Sequence, residues 1–239
     1  MGTFRPIKKW FIPLIAIITG TLVGLSFFPS HQEHKYNEWL EELEAFNKRS
    51  FTIETEYRKD RETVSYSSGY WSANRSTYHV TTPVSNDSIF EFDVFFEKEH
   101  FFTLAGGEWR QGEAPHRIIK ELTPLDDFFS WGKLLLKEAD KIEKKVKETK
   151  TLYKATFHSF DHMDFRGVTL NEQSQTTLIM TLEGGQLHSL NFEVKPIRPV
   201  GIDVLQSYPE TMTYHIQFSP NDKQVPVVPE KALNSPLLE

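Results

Sequence analysis

The chain has 239 residues, a formal net charge of −6 and no cysteine, with 19 Phe, 8 Tyr and 5 Trp. The absence of cysteine excludes a disulfide framework, thiol catalysis and Cys-ligated zinc. The acidic balance argues against nucleic acid as a partner.

Residues 10–29, WFIPLIAIITGTLVGLSFFP, carry no charge and follow Arg5, Lys8 and Lys9. At ~1.5 Å per helical residue such a run spans about the ~30 Å of a bilayer core. It therefore predicts one transmembrane helix, a signal-anchor, with residues 1–9 cytoplasmic by the positive-inside rule. The expected localisation is the cell membrane, single-pass, with the domain extracytoplasmic in a bacterial envelope. Arg5, Lys8 and Lys9 give the first 30 residues +3, which leaves −9 for the exported part. A signal peptide cleaved after Gly24-Leu25-Ser26 is the competing reading. The length of the apolar run and the missing A-x-A site count against it.

Residues 32–49 predict an amphipathic helix, with Tyr36, Trp39, Leu40, Leu43 and Phe46 at helical spacing and Glu38, Glu41, Glu42 and Glu44 opposite. From Phe51 the period changes to two. Strands are expected around FTIETEYR, VSYSSGYW, STYHVTT, IFEFDVFF, HFFTL and EWRQ, joined by short turns. Residues 123–140 break this meander. Thr123-Pro-Leu-Asp126 has the capping-box form, and Leu125, Phe128, Phe129, Leu135, Leu136 and Ala139 make an apolar stripe behind it. Strands then resume with IEKKVKE, whose charge suits an edge, and LYKATFH. Residues 159–174 read as irregular and polar. TTLIMTLE, Gly184-Gly185 and QLHSLNFEV predict a hairpin, Lys195 to Tyr208 a loop, and TMTYHIQFS a closing strand. The proline-rich end is expected to fray.

The expected division is a tail at 1–9, an anchor at 10–29, one exported domain at 32–228 and a flexible end at 229–239. Its fold class is α+β: a curved antiparallel sheet, a half-barrel, with two packing helices, preceded by one transmembrane helix.

Little in the chain spells out chemistry. His158, Asp161, His162 and Asp164 cluster, but at a strand end and with no distant third ligand, so a polar loop is the preferred reading over a metal site. Asp126-Asp127 and Glu41-Glu42 fall in a first helical turn or on an outward face. There is no nucleophile elbow, P-loop or dinucleotide fingerprint. No catalytic residue, metal or cofactor is expected, and the chain is read as no enzyme. Aromatic and aliphatic strand faces stand out instead. Phe90, Phe92, Val94 and Phe96, then Leu178, Met180 and Leu182, then Tyr214, Ile216 and Phe218 are the candidate lining of a concave face. Phe128, Phe129, Leu135 and Leu136 are the candidate lid helix.

The layout resembles the half-barrel lipoprotein-carrier superfamily, which includes LolA-like carriers and the sensor domain of RseB-like regulators. The resemblance lies in the exported N-terminal helix, the GGEWRQ turn around Trp109, the helix opening at Thr123, and the ending YHIQFSPNDKQVPVVP. It implies a curved sheet wrapped around an apolar ligand with helices as lid. The chain departs in lacking a lipid-bearing cysteine and in carrying its own apolar run, which points to a local acceptor or sensor. Two functions are thus expected in turn. The first is a membrane-anchored, non-enzymatic domain binding a lipid, an acyl chain or another apolar ligand. The second is a protein-interaction or signalling module of an envelope complex, with a filled core and no ligand.

Overall fold

The computed structural model describes residues 31–85, 88–113, 116, 119, 121, 123–125, 127–198, 208–221 and 224–238. Helix α1 (His31–Phe46) leads into β1 (Phe51–Lys59), β2 (Glu62–Ser72), β3 (Arg75–Ser85), β4 (Ser88–Glu97), β5 (His100–Ala105) and β6 (Glu108–Glu113). Helix α2 (Phe128–Lys137) follows, then β7 (Lys141–Lys147), β8 (Lys150–Phe165), β9 (Val168–Glu183), β10 (Gln186–Val194), β11 (Met212–Pro220) and the short α3 (Glu230–Leu233). All eleven strands form one antiparallel sheet, in the order β6-β5-β4-β3-β2-β1-β11-β10-β9-β8-β7. Two meanders are thus joined where the last strand pairs with the first.

The α+β class and the single antiparallel sheet agree with the sequence; the transmembrane helix in front of them is corrected. Among the described residues no helix is long and apolar enough to cross a membrane. Helix α1, with 16 residues, is about 24 Å long at ~1.5 Å per residue, and its outer side is charged. Residues 10–29, where the anchor was expected, lie outside the described residues. The membrane contact through 10–29, the signal-anchor and the single-pass localisation are withdrawn with it.

Period-two patterning places the core. β1 alternates buried and less buried residues along its whole length, and β11 does so over most of its own. Their register puts Ile53 opposite Phe218, Thr55 opposite Ile216 and Tyr57 opposite Tyr214. Residues directly opposite share a face, so these side chains point the same way. The same rule carries the face outward through Leu190–Ile216, Phe192–Leu178 and Met180–Tyr153 on one side. On the other side it runs through Val80–Phe92, Tyr78–Val94 and Phe96–Phe101. One continuous core results.

Several turns lack the glycine that a left-handed conformation favours. Asp60, Lys98 and Glu148 have φ between 53° and 55° at two-residue hairpins, while Arg166, at 51°, is followed by Gly167 at 76°. Their chemistry gives a weaker turn signal than Gly106-Gly107 or Gly184-Gly185.

The second helix differs from expectation at its start. Thr123 does not cap it; its hydroxyl donates to Ile119 O at 2.7 Å, one turn back. The cap is Asp127, whose carboxylate accepts from Ser130 N at 2.9 Å. The stripe behind it is as expected, with Phe128, Phe129, Leu135 and Leu136 all buried. The charged strand β7 is indeed one edge of the sheet.

Candidate functional site

Residues 159–174 are where sequence and structure part most. They are not a loop but the far half of the β8–β9 hairpin, each strand 16 residues long. Pairing slips between Phe157–Thr176 and Ser159–Glu172, and again before Met163–Leu170, first with extra residues on β9 and then on β8. Bulges of this kind bend both strands. The bent tip lies back over the concave face rather than continuing outward. Phe165 meets Tyr57 of β1 at 6.2 Å, Phe192 of β10 at 5.1 Å and Tyr214 of β11 at 6.3 Å.

Arg166 pins the tip. It is 6% exposed, and its guanidinium lies 4.7 Å from the ring centres of both Tyr57 and Tyr214. Its two terminal nitrogens donate to Glu121 O at 2.7 Å and Thr123 O at 2.8 Å. It thereby ties the hairpin to the segment that leads into α2. Tyr214 Oη in turn accepts from Leu125 N at 3.1 Å. Burial pushes the Tyr57 and Tyr214 hydroxyls well above the ordinary tyrosine range, so both rings stay neutral and present their faces to the cation.

The concave face is therefore filled by the chain itself. Of the candidate lining residues, Phe92, Val94, Phe96, Leu178, Met180, Leu182, Tyr214, Ile216 and Phe218 are 0–7% exposed. Phe90 stands apart near the open end of β4, 44% exposed. The covering side chains are Trp39, Leu43 and Phe46 from α1, the four lid residues from α2, and Phe160, Phe165 and Leu170 from the hairpin. Phe129 sits among Trp71, Phe128, Phe218 and Phe51, with ring centres 4.8, 5.3, 6.0 and 6.1 Å away.

A groove of about 400 Å³ stays open between α2 and the hairpin tip. Trp131 forms its inner wall, stacked on Phe165 at 5.8 Å and edge-on to Phe192 at 5.0 Å. Met163 and Phe160 face it from β8, and Leu134, 62% exposed, stands on the helix side. Its charged lining is Glu138, Asp161 and Asp164 against Lys137 and Arg166. The hairpin's contribution to this groove was not legible in the sequence, because the bulges break the alternation that marks a strand.

His158, at one end of the histidine and acid cluster, is paired rather than free. His158 Nδ1 lies 2.9 Å from Asp140 Oδ2, and that carboxylate also accepts from His158 N at 2.7 Å. Among the described residues no group of three or more His, Cys, Asp or Glu is placed to hold a metal ion.

No family model matches the chain, and no curated protein matches it. Among the solved structures that resemble it, two illustrate how weak the likeness is. One is the crystal structure of LprF from Mycobacterium bovis, with a TM-score of 0.42 and 6% identity over 80% of this chain and 96% of that one. The other is a LolA superfamily protein from Nitrosomonas europaea, with a TM-score of 0.30 and 10% identity over 82% of this chain and 96% of that one. Both resemblances are weak and at low identity. The leading functional expectation, a membrane-anchored lipid-binding acceptor or sensor, is corrected. No described helix crosses a membrane, and the face expected to hold the ligand is occupied by the chain's own side chains.

Proposed function

We propose that this chain is a non-enzymatic protein-interaction module, a half-barrel filled from within, whose contact face is the groove between α2 and the β8–β9 tip. The observation that carries this reading is the closure of the concave face by the hairpin and two helices. With the interior occupied, recognition falls to the surface. Trp131, Leu134 and Met163 supply an apolar anchor site, and aromatic anchors in such clefts dominate protein interfaces. Three acids line the groove against Lys137 and the buried Arg166, and this acidic excess favours a partner segment with an apolar anchor and basic flanks.

The test uses two sets of synthetic peptides, each with a central leucine or phenylalanine, flanked by lysines in one set and glutamates in the other. The lysine-flanked set is expected to bind the full chain. Leu134→Arg should remove that binding while the melting midpoint stays put, because Leu134 already lies in solvent. Binding of neither set, or binding that Leu134→Arg leaves intact, would count against the groove.

A further inference from the structure

The outer face of the sheet carries a second apolar cluster, separate from the core. Phe102, Val228 and Ala232 are buried together there, with Phe95 and Trp109 packed against them. Two of these five belong to the C-terminal segment, and Ala232 is wholly buried. Just past α3 the chain runs beside the edge strand β6. Gln111 N donates to Pro236 O at 3.0 Å, and Leu238 N donates to Gln111 O at 2.8 Å. Leu237 bridges Gln111 in parallel, and the Gln111 side-chain amide donates to Ser235 O. This is strand addition, the mode by which sheet edges take extended peptides. Here the peptide is the chain's own tail.

The two edges of the sheet are guarded differently. β7 carries Lys141, Lys144, Lys145 and Lys147, and a row of lysines repels another copy of itself. β6, EWRQGE, has mixed charge and relies on the tail for cover. To reach it the chain leaves β11, where Asn221 N donates to Ser50 O at 3.0 Å. It then travels to β6, with five strands lying between the two in the sheet. Val228 and Ala232 sit in a cluster separate from the main core, and Leu238 alone of the tail's apolar residues beside β6 packs against that core.

We propose that the β6 edge and the Phe95–Phe102–Trp109 patch form a docking site for the C-terminal tail of a second copy of this chain, so that the protein self-associates by exchanging tails. The occupant is fixed by what fits: the tail seated on β6 is present in every copy. Each exchanged pair keeps the same hydrogen bonds and the same buried Ala232, which makes exchange a low-cost route to a dimer. A tethered segment has an effective concentration of order ~1 mM at its own site. Exchange therefore rises as the chain approaches that concentration. This surface lies apart from the groove and does not depend on it.

The absence of cysteine makes the test clean. Full-length Gln111→Cys and full-length Leu237→Cys are mixed, oxidised over a concentration series, and the 111–237 linkage is read by mass spectrometry of the joined peptides. The expected result is a cross-linked dimer that grows with concentration, above the background of Gln111→Cys mixed with Val84→Cys. The double variant Gln111→Cys/Leu237→Cys should close within one chain when dilute. Two results would overturn the proposal. One is closure within the double variant with no intermolecular linkage above background at any concentration, which means the tail never leaves its own chain. The other is failure of the double variant to close, which means the tail does not sit on β6. Either leaves the peptide-binding test of the groove unaffected.

Discussion

Replacing Phe129 with alanine is expected to lower stability by about 3–5 kcal/mol, the usual cost of emptying a fully buried phenylalanine site. Phe129 is wholly buried and touches aromatic rings from α2, β1, β2 and β11, so no single neighbour can move to fill the void. In a domain of this size ~1 kcal/mol corresponds to ~2–4 °C, which puts the drop in melting midpoint at about 6–20 °C. Leu134→Ala, five residues further along the same helix and exposed, is the control and should stay within ~0.5 kcal/mol. An unchanged midpoint in Phe129→Ala would mean that α2 does not seal the sheet.

Arg166→Met is the second large effect, and it probes the hairpin tip. Methionine keeps much of the length and loses every donor. The carbonyls of Glu121 and Thr123 then lose their partners, at ~1–3 kcal/mol for each buried acceptor left unpaired. Stacking of the cation on Tyr57 and Tyr214 adds ~0.5–2 kcal/mol per ring. Relief from burying a cation offsets part of this. The expected net loss is about 2–4 kcal/mol. Its signature is local: amide exchange should quicken at Thr123 and Leu125, and Trp131 fluorescence should shift as Phe165 loosens. A variant with native stability and native exchange at those residues would contradict the latch.

Most of the sheet was legible because period two is a local property. The alternation of Phe92, Val94 and Phe96, or of Tyr214, Ile216 and Phe218, needs no knowledge of the fold. What alternation cannot say is whether two such faces point the same way; that depends on register, which Tyr57–Tyr214 and Phe192–Leu178 settle. The hairpin tip was illegible for a related reason. A bulge shifts the phase of the pattern, so Phe160, Met163 and Phe165 do not share one alternating face, and of the two turn residues Arg166 and Gly167 only the second is a usual signal of φ > 0. Thr123 misled because its sequence context matches a cap. The hydroxyl instead closes the preceding turn on Ile119, and Asp127 does the capping. The groove followed the hairpin out of view: the helix stripe drew attention to Phe128, Phe129, Leu135 and Leu136, and Trp131 and Leu134, which wall the groove, lie outside that stripe.

A half-barrel filled by its own chain leaves no room for an acyl chain on its concave face, and the most direct measurement is a titration of the full-length chain with a fluorescent long-chain fatty acid. A melting curve is recorded at each point. The expected result is no saturable uptake and an unmoved midpoint, since Phe92, Met180, Tyr214 and Phe218 already meet side chains from α1, α2 and the hairpin. Saturable one-to-one binding would contradict it, with stability rising by ~2.7 kcal/mol at a hundredfold excess over the dissociation constant.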